Sequence, residues 1–414
     1  MTVDTNSSIR TRRLDNGVTL VFEPMPWLRS LSLALLLPVG SVTDPRGREG
    51  SATVLFDWLS RGAGGMDSRE FNDRLDTLGV RRGGGAGRET TNFTASMLAS
   101  ALPEALPLLA DMVRRPELDE GEFASARELA LQELASLDDS PAQRLGELLS
   151  AHYFTSAHGR SAYGTREGLE SLDPAGLAED FRSRYAPEGA VIAAAGGVRW
   201  EELSALAEEA FGGWQGSPPA MPAVEVETPR RHHVAAETSQ VQIGLAYPGL
   251  PPQHSDWYRH TLAMNVLSGG TASRLFSEVR EKRGLAYSVH AGARAVRGYG
   301  YVVARAGTTP ERADETLDVM LDEIARLGQG VDADELERAR TGILSHLVMQ
   351  GESSGARAAA LAHDLYLRGE PRSLAQIKAM VSTVSLNDVN SFLAMQSPPR
   401  PTVLTLGPNG SAPS

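Results

Sequence analysis

Apolar positions alternate at Val18, Leu20 and Phe22 immediately after Asp15, Asn16 and Gly17, a triplet that supplies the φ > 0 turn of a hairpin over residues 12–23. Residues 30–40 are more continuously apolar and predict a buried strand. Helical spacing follows over 50–59 and 68–78, and 90–97 returns to a strand pattern. From Leu102 to Leu149 the spacing is helical again. It is broken at 138–141, where Pro141 removes a backbone donor and favours a new helix start. Asp173 and Pro174 cap a further helix that ends near Tyr185–Pro187, ahead of an apolar strand over 191–195. Strands joined by tight turns among long helices predict an α+β fold.

The second half repeats this order in register. Residues 118–127 match 331–340 at an offset of 213, and Ser171, Leu172 and Asp173 match Thr383, Val384 and Ser385 at 212. Asp173 and Ser385 both fall at N-cap positions. Val191 matches Val403 at 212, and Phe71 and Gly79 match Phe276 and Gly284 at 205. Small drifts at loops are what a diverged duplication leaves, so the chain reads as two copies of one domain. Residues 216–229 contain four prolines and no periodicity, and read as the connector. The domains are therefore placed at 1–219 and 220–414.

The strongest local pattern is the run TASRLFSEVREKRGLAYSV from Thr271 to Val289. It predicts a Thr-capped amphipathic helix ending near Lys282, a turn at Gly284 and a strand from Tyr287. Arg280 on the last turn and Tyr287 seven residues later would converge, offering a guanidinium and a phenol to a peptide carbonyl or a developing oxyanion. The competing reading is structural: an Arg suits a helix C-terminus, and a Tyr at a strand start packs in the core.

Composition narrows the field. The 414 residues carry 40 basic and 52 acidic side chains, a net charge of −12, which lacks the basic footprint that phosphate backbones select. With no cysteine there are no disulfides, thiolate nucleophiles or Cys-ligated metals. The start, Met1 to Arg13, is polar, and no apolar run is long enough to span a bilayer, so a cytoplasmic protein without a membrane span is expected.

The chain resembles the insulinase, pitrilysin and mitochondrial-processing-peptidase family of inverted zincins over residues 12–407. The resemblance rests on LDNGVTL from Leu14, PVGS from Pro38, RLFSEVREKRGLAY from Arg274, AGTTPE from Ala306, and the duplication. It implies two homologous domains, each a mostly antiparallel sheet covered by helices, together forming half of a clamshell chamber. In active members it implies a helix bearing H-x-x-E-H, whose histidines bind zinc and whose Glu activates water. Here Thr53 and Asp57 stand in place of the histidines and Phe56 in place of the base. Glu133 fits the family's third ligand, while Ala126 replaces its supporting Glu. Two carboxylates without an imidazole make a poor zinc site. All nine histidines lie after this helix, and none are paired at one-turn spacing, so the motif has not moved. No metal is expected in this chain. On the family's substrate-binding edge strand the usual Asn is Gly83, inside a glycine-rich stretch to Gly87.

Three other patterns in the sequence point to weaker chemistry. The 83–87 glycines lack the Gly-Lys-Ser/Thr of a phosphate cradle. Gly351-Glu352-Ser353-Ser354-Gly355 matches G-x-S-x-G, but a helix precedes it where the elbow needs a strand. Ser353 also repeats Ser140 of the 138–141 break, which makes it an interhelical turn. His290 has no carboxylate paired with it in sequence and reads as an ordinary strand residue. The resemblance implies the zinc-free subunit of a heterodimeric metallopeptidase, not active alone. A zinc-bearing H-x-x-E-H paralogue would be its partner, and Arg280 and Tyr287 would serve as catalytic and peptide-binding residues. The alternative is an inactive structural or peptide-binding homologue, either a scaffold or a homodimer.

Overall fold

The hairpin over residues 12–23 forms because Gly17 takes the φ of 96° that its turn requires. In the computed structural model, which describes residues 9–397 and 399–408, β1 (Arg10–Arg13) pairs antiparallel with β2 (Thr19–Pro24). The first eight residues of the polar start lie outside the described residues. β3 (Ser30–Leu37), β4 (Arg81–Ala86), β5 (Thr91–Leu98) and β6 (Val191–Gly196) complete a sheet of order β1-β2-β6-β3-β5-β4, in which only β2 and β6 run parallel. The second sheet contains β7 (Arg231–Ala235), β8 (Val241–Gly249), β9 (Ala286–Val296), β10 (Tyr299–Thr308) and β11 (Thr402–Gly407), in the order β7-β11-β8-β10-β9. Its one parallel pair is β7 with β11, so the second sheet repeats β2-β6-β3-β5-β4 strand for strand. The duplication read from offsets is thus present as topology, and β9 occupies the edge position that β4 holds in the first sheet.

Two compact units divide the chain, and they cross the sequence repeat. The first runs to Ser136 and adds Arg160–Ala223 and Gln350–Ser373; the second takes Leu137–Gly159, Val224–Met349 and residues from Leu374 onward. Each unit thereby includes one helix from the other sequence copy. Helix Ser354–Arg368 lays Ala358, Leu361, Ala362 and Tyr366 on the Val21, Ala34, Leu36, Ala193 and Ala195 face of the first sheet, where small side chains allow close approach. Arg357 enters with it and pairs with Glu23 at 2.7 Å, both side chains almost fully buried. In the second unit, helix Pro141–Tyr153 sets Leu145 and Leu149 against Leu404 and Leu406. A Cβ on Gly244 would lie 3.2 Å from both Leu145 and Leu149, so a larger side chain would press that helix away. The breaks that the sequence places at 138–141 and at Ser353 lie where the chain passes between units. Ser353 caps helix Ser354–Arg368 by accepting from the Ala356 amide at 3.2 Å, as an interhelical turn requires.

The continuous helical pattern over 102–149 is corrected at one place. Helix Leu102–Arg114 stops and helix Glu120–Ser136 begins after an irregular stretch containing Pro116 and Leu118, the latter at φ 50°. The larger core of the first unit gathers Leu33, Leu35, Trp58, Phe71, Phe93 and Leu106, and that of the second gathers Leu245, Leu262, Val302 and Phe392.

One core side chain of the second unit makes stability depend on pH. His260, on helix Trp257–Ser268, is 8% exposed and packs near Trp257 and Phe392. Burial, with a smaller contribution from His254, lowers its pKa from 6.5 to about 4. The unfolded chain therefore binds a proton that the folded chain refuses between those values. The stabilising effect of a neutral His260 is complete above pH 6.5 and is lost as pH falls toward 4. Urea titrations from pH 7 to pH 4.5 should show a decline that flattens in His260→Gln. An equally steep decline in that variant would remove His260 as its cause.

Candidate active site

Arg280 and Tyr287 are brought together by two local irregularities. Phe276–Lys282 is a π-helical segment, with Leu275 at its N-cap and no side-chain cap; Thr271 does not cap it, contrary to the sequence expectation. The extra residue per turn rotates Arg280 relative to an α-helix, and such bulges recur at functional sites. Gly284 then reverses the chain at φ 59° and Leu285 donates back to the Val279 carbonyl at 2.8 Å. At the start of β9 the ladder shifts register between Gly307 and Thr308, leaving Tyr287 without a cross-strand partner. A bulge at an edge re-aims its side chain. Tyr287 is consequently 81% exposed rather than packed in the core.

The Arg280 guanidinium carbon lies 4.7 Å from the Phe276 ring centroid and 4.9 Å from that of Tyr287. Such contacts fix the plane of the guanidinium while leaving its N–H donors to other partners. The neighbouring carboxylate, Glu278, is already taken by Lys282 at 2.7 Å and Arg283 at 2.5 Å, hydrogen bonds that hold its pKa low. Among the described residues no carboxylate pairs with Arg280 and none accepts from the Tyr287 hydroxyl. The pair presents a free cationic donor and a free phenol side by side.

In the first unit, helix Ser51–Leu59 carries Thr53, Phe56 and Asp57. The Thr53 hydroxyl donates to the Ala162 carbonyl at 2.6 Å. Phe56 stacks on Phe93 with centroids 5.0 Å apart, and its ring reaches under β4, 3.1 Å from where a Cβ on Gly84 would sit. Asp57 is held by Arg61 at 2.5 Å, and Arg61 bridges on to Glu122 at 2.7 Å. Glu133 lies close enough to Asp57 that burial, then the Asp57 charge, raises its pKa. Ala126 is buried on the same helix as Glu133. These groups do not fit zinc: a hydroxyl engaged as donor, a phenyl ring, and a carboxylate neutralised by an arginine leave Glu133 alone as a ligand. Among the described residues no group of three or more His, Cys, Asp or Glu is arranged to hold a metal. Elemental analysis of the purified, dialysed chain should therefore find well below one zinc per molecule; a stoichiometric ion would contradict this geometry.

Gly83 lies on the exposed edge strand β4, paired across with Thr94. His290 lies further along β9 from Tyr287, directly across from Arg305.

Comparison with known proteins bears on both units. A family model described as "Insulinase (Peptidase family M16)" matches residues 23–166, and one described as "Peptidase M16 inactive domain" matches 171–343. The chain belongs to the insulinase family of peptidases. Within that family it lacks the zinc motif, with Thr53, Phe56 and Asp57 where H-x-x-E-H would stand. An uncharacterized zinc protease of Mycobacterium tuberculosis is 29% identical to this insulinase-family chain, over 97% of this chain and 94% of that protein. The uncharacterized zinc protease YmxG of Bacillus subtilis is 26% identical over 98% of this chain and 100% of that protein. Among solved structures, a peptidase M16 inactive domain from Pseudomonas fluorescens superposes with a TM-score of 0.86 at 22% identity, covering 98% of this chain and 100% of that chain. A protease from Helicobacter pylori gives 0.85 at 18% identity, covering 97% and 100%. Both share the α+β fold of two mostly antiparallel sheets with helices. Among the described residues no helix is long and apolar enough to cross a membrane.

Proposed function

We propose that this chain is the zinc-free subunit of a two-chain metallopeptidase and that Arg280 and Tyr287 complete the active site of its zinc-bearing partner. The observation that carries this reading is the stacked and unpaired Arg280–Tyr287 couple, with Tyr287 exposed, in a chain whose helix Ser51–Leu59 has no zinc-ligand set. A side chain as apolar as tyrosine, 81% exposed at a sheet edge and backed by an uncompensated guanidinium, has no packing role that explains it.

Zinc held by the partner would supply an activated water and polarise the scissile carbonyl. This chain's part is to bind and orient. Arg280 donates to a peptide carbonyl next to the cleaved bond, its plane set by Phe276 and Tyr287. The Tyr287 hydroxyl donates to the oxygen that becomes negative as the tetrahedral centre forms, an interaction stronger in the transition state than in the ground state. The protein is placed in the cytoplasm on this reading.

Co-expression with an H-x-x-E-H paralogue from the same genome tests the proposal. A stable complex that cleaves mixed peptides, with neither chain active alone, is the expected result. Chains that never associate would favour the second reading, an inactive scaffold or peptide-binding homodimer, for which the loss of every ligand on Ser51–Leu59 is the supporting observation.

A further inference from the structure

A cavity of about 200 Å³ lies inside the first unit, between its sheet and the helices that cover it. Close packing leaves few spaces in a core larger than one water molecule. The walls are apolar and buried: Leu109 and Met112 on helix Leu102–Arg114, Phe211 on helix Trp200–Phe211, Ile192 on β6 and Phe93 on β5. Phe56, stacked on Phe93, forms the wall nearest β4, so the side chain that stands in place of the H-x-x-E-H base adds apolar surface. Small residues make the room, with Ala95 across from Arg82 and Gly84 across from Phe93 on the β4–β5 pair. Solvent reaches the lining at Arg82 and Gly83 on β4, at Thr94 beside them, and in part at Phe56 and Ser60, so the cavity opens under the edge strand.

Arg82 is the charged group of that lining. It shares a face of β4 with Gly84, the face toward which the Phe56 ring is turned. Its guanidinium carbon lies 5.8 Å from the Phe71 ring centroid, and its Nη2 donates to the Asn72 Oδ1, both on helix Ser68–Thr77. Among the described residues no carboxylate forms an ion pair with it. Desolvation lowers its pKa, and the charge of Asp76 on the same helix opposes this only in part. Ser60 already donates to the Asp57 carbonyl at 2.7 Å, which leaves Arg82 as the donor at the mouth.

We propose that this cavity binds a short apolar monocarboxylate, its tail among Leu109, Met112 and Phe211 and its carboxylate on Arg82. An apolar cavity of about 150 Å³ accepts benzene, so this one takes an unbranched chain of about six carbons or one ring on a short linker. The planar fork of a guanidinium matches a carboxylate with two parallel hydrogen bonds, which sets the acid apart from an alcohol or amide of the same length. The site lies wholly within the first unit and stands or falls independently of the two-chain reading.

The test titrates the full chain with hexanoate, octanoate and 3-phenylpropionate, and with hexanamide as the uncharged counterpart, by calorimetry and by ligand-observed NMR for the weaker ligands. The acids should bind one per chain with a Kd between about 10 μM and 1 mM, as suits ligands of this size, and hexanamide about tenfold more weakly. Arg82→Gln changes an exposed position and should bring hexanoate to the affinity of hexanamide. Ala95→Leu fills the cavity and should abolish binding of all four. If circular dichroism shows that Ala95→Leu does not fold, Met112→Ala decides: the wider cavity should shift preference from hexanoate toward octanoate by about tenfold, because two more methylenes are buried. No saturation by about 10 mM acid, or binding that these substitutions leave unchanged, overturns the site. Equal affinity for hexanoate and hexanamide in the unsubstituted chain also overturns it, because the class proposed is a carboxylate.

Discussion

Tyr287→Phe should lower kcat of the assembled two-chain peptidase by about 10²–10³-fold, the loss typical of removing one preorganised donor to an oxyanion. Phenylalanine keeps the ring on which Arg280 stacks at 4.9 Å, so the fold of the turn and the position of the guanidinium are preserved. What disappears is one hydroxyl. Because that donor matters chiefly after the carbonyl oxygen gains charge, kcat and kcat/KM should fall together with KM nearly constant. Arg280→Ala should raise KM as well as lower kcat, since its guanidinium also holds the bound peptide. Arg280→Lys should rescue only part of the loss, because an ammonium lacks the planar fork and the stacking surface. Assembly by size-exclusion chromatography and zinc content of the partner serve as controls. Full activity of Tyr287→Phe in an intact complex would sink the composite site.

Asp44→Ala should destabilise the first unit by about 3–5 kcal/mol, as expected when one member of a buried ion pair is removed and the other is stranded. The Asp44 side chain is fully buried and that of Arg184 is 4% exposed, with Arg184 Nη1 donating at 2.8 Å. The same carboxylate accepts from the Gly50 amide at 2.7 Å, the Ala52 amide at 3.0 Å and the Ser51 hydroxyl at 2.9 Å. It therefore performs the N-capping that Gly50, which has no side chain, cannot provide to helix Ser51–Leu59. Arg184 Nη2 adds a bond to Ser51 at 2.8 Å, and Arg160 donates to the Asp44 carbonyl at 2.6 Å. Asp44→Asn keeps acceptor capacity without the charge and should cost less. Urea denaturation followed by far-ultraviolet circular dichroism measures both; a wild-type midpoint in Asp44→Ala would show that the ion pair contributes nothing net. Helix Ser51–Leu59, which carries no zinc-ligand set, is thus anchored at its N-terminus by a dense polar network.

Particular residues show where reading the sequence succeeds and where it stops. Asp173 and Ser385 are N-caps as their positions suggested, accepting from the Gly176 and Asp388 amides at 2.9 and 3.1 Å. Caps and tight turns are decided within four residues, so the sequence carries them directly. The same holds for the Asp15–Gly17 turn and for the absence of histidine from residues 51–59. Arg280 and Tyr287 could be singled out by their spacing, yet whether they met depended on a π-helical turn and a bulge. Neither follows from local propensity: the bulge depends on how β9 pairs with β10, and Val279 and Leu285, on either side of the turn, are buried in a core built from distant residues.

The sequence alone determined the element order, the duplication, the emptied zinc motif and the residues available for chemistry, because each depends on residue identity and short-range periodicity. Tertiary structure alone decided that each unit includes a helix from the other sequence copy, that Arg357 is buried on Glu23, and that Arg305 faces His290. These pairings span tens to hundreds of residues. They are selected by which apolar faces and charges best satisfy one another once the sheets have formed, a choice that no window of sequence contains.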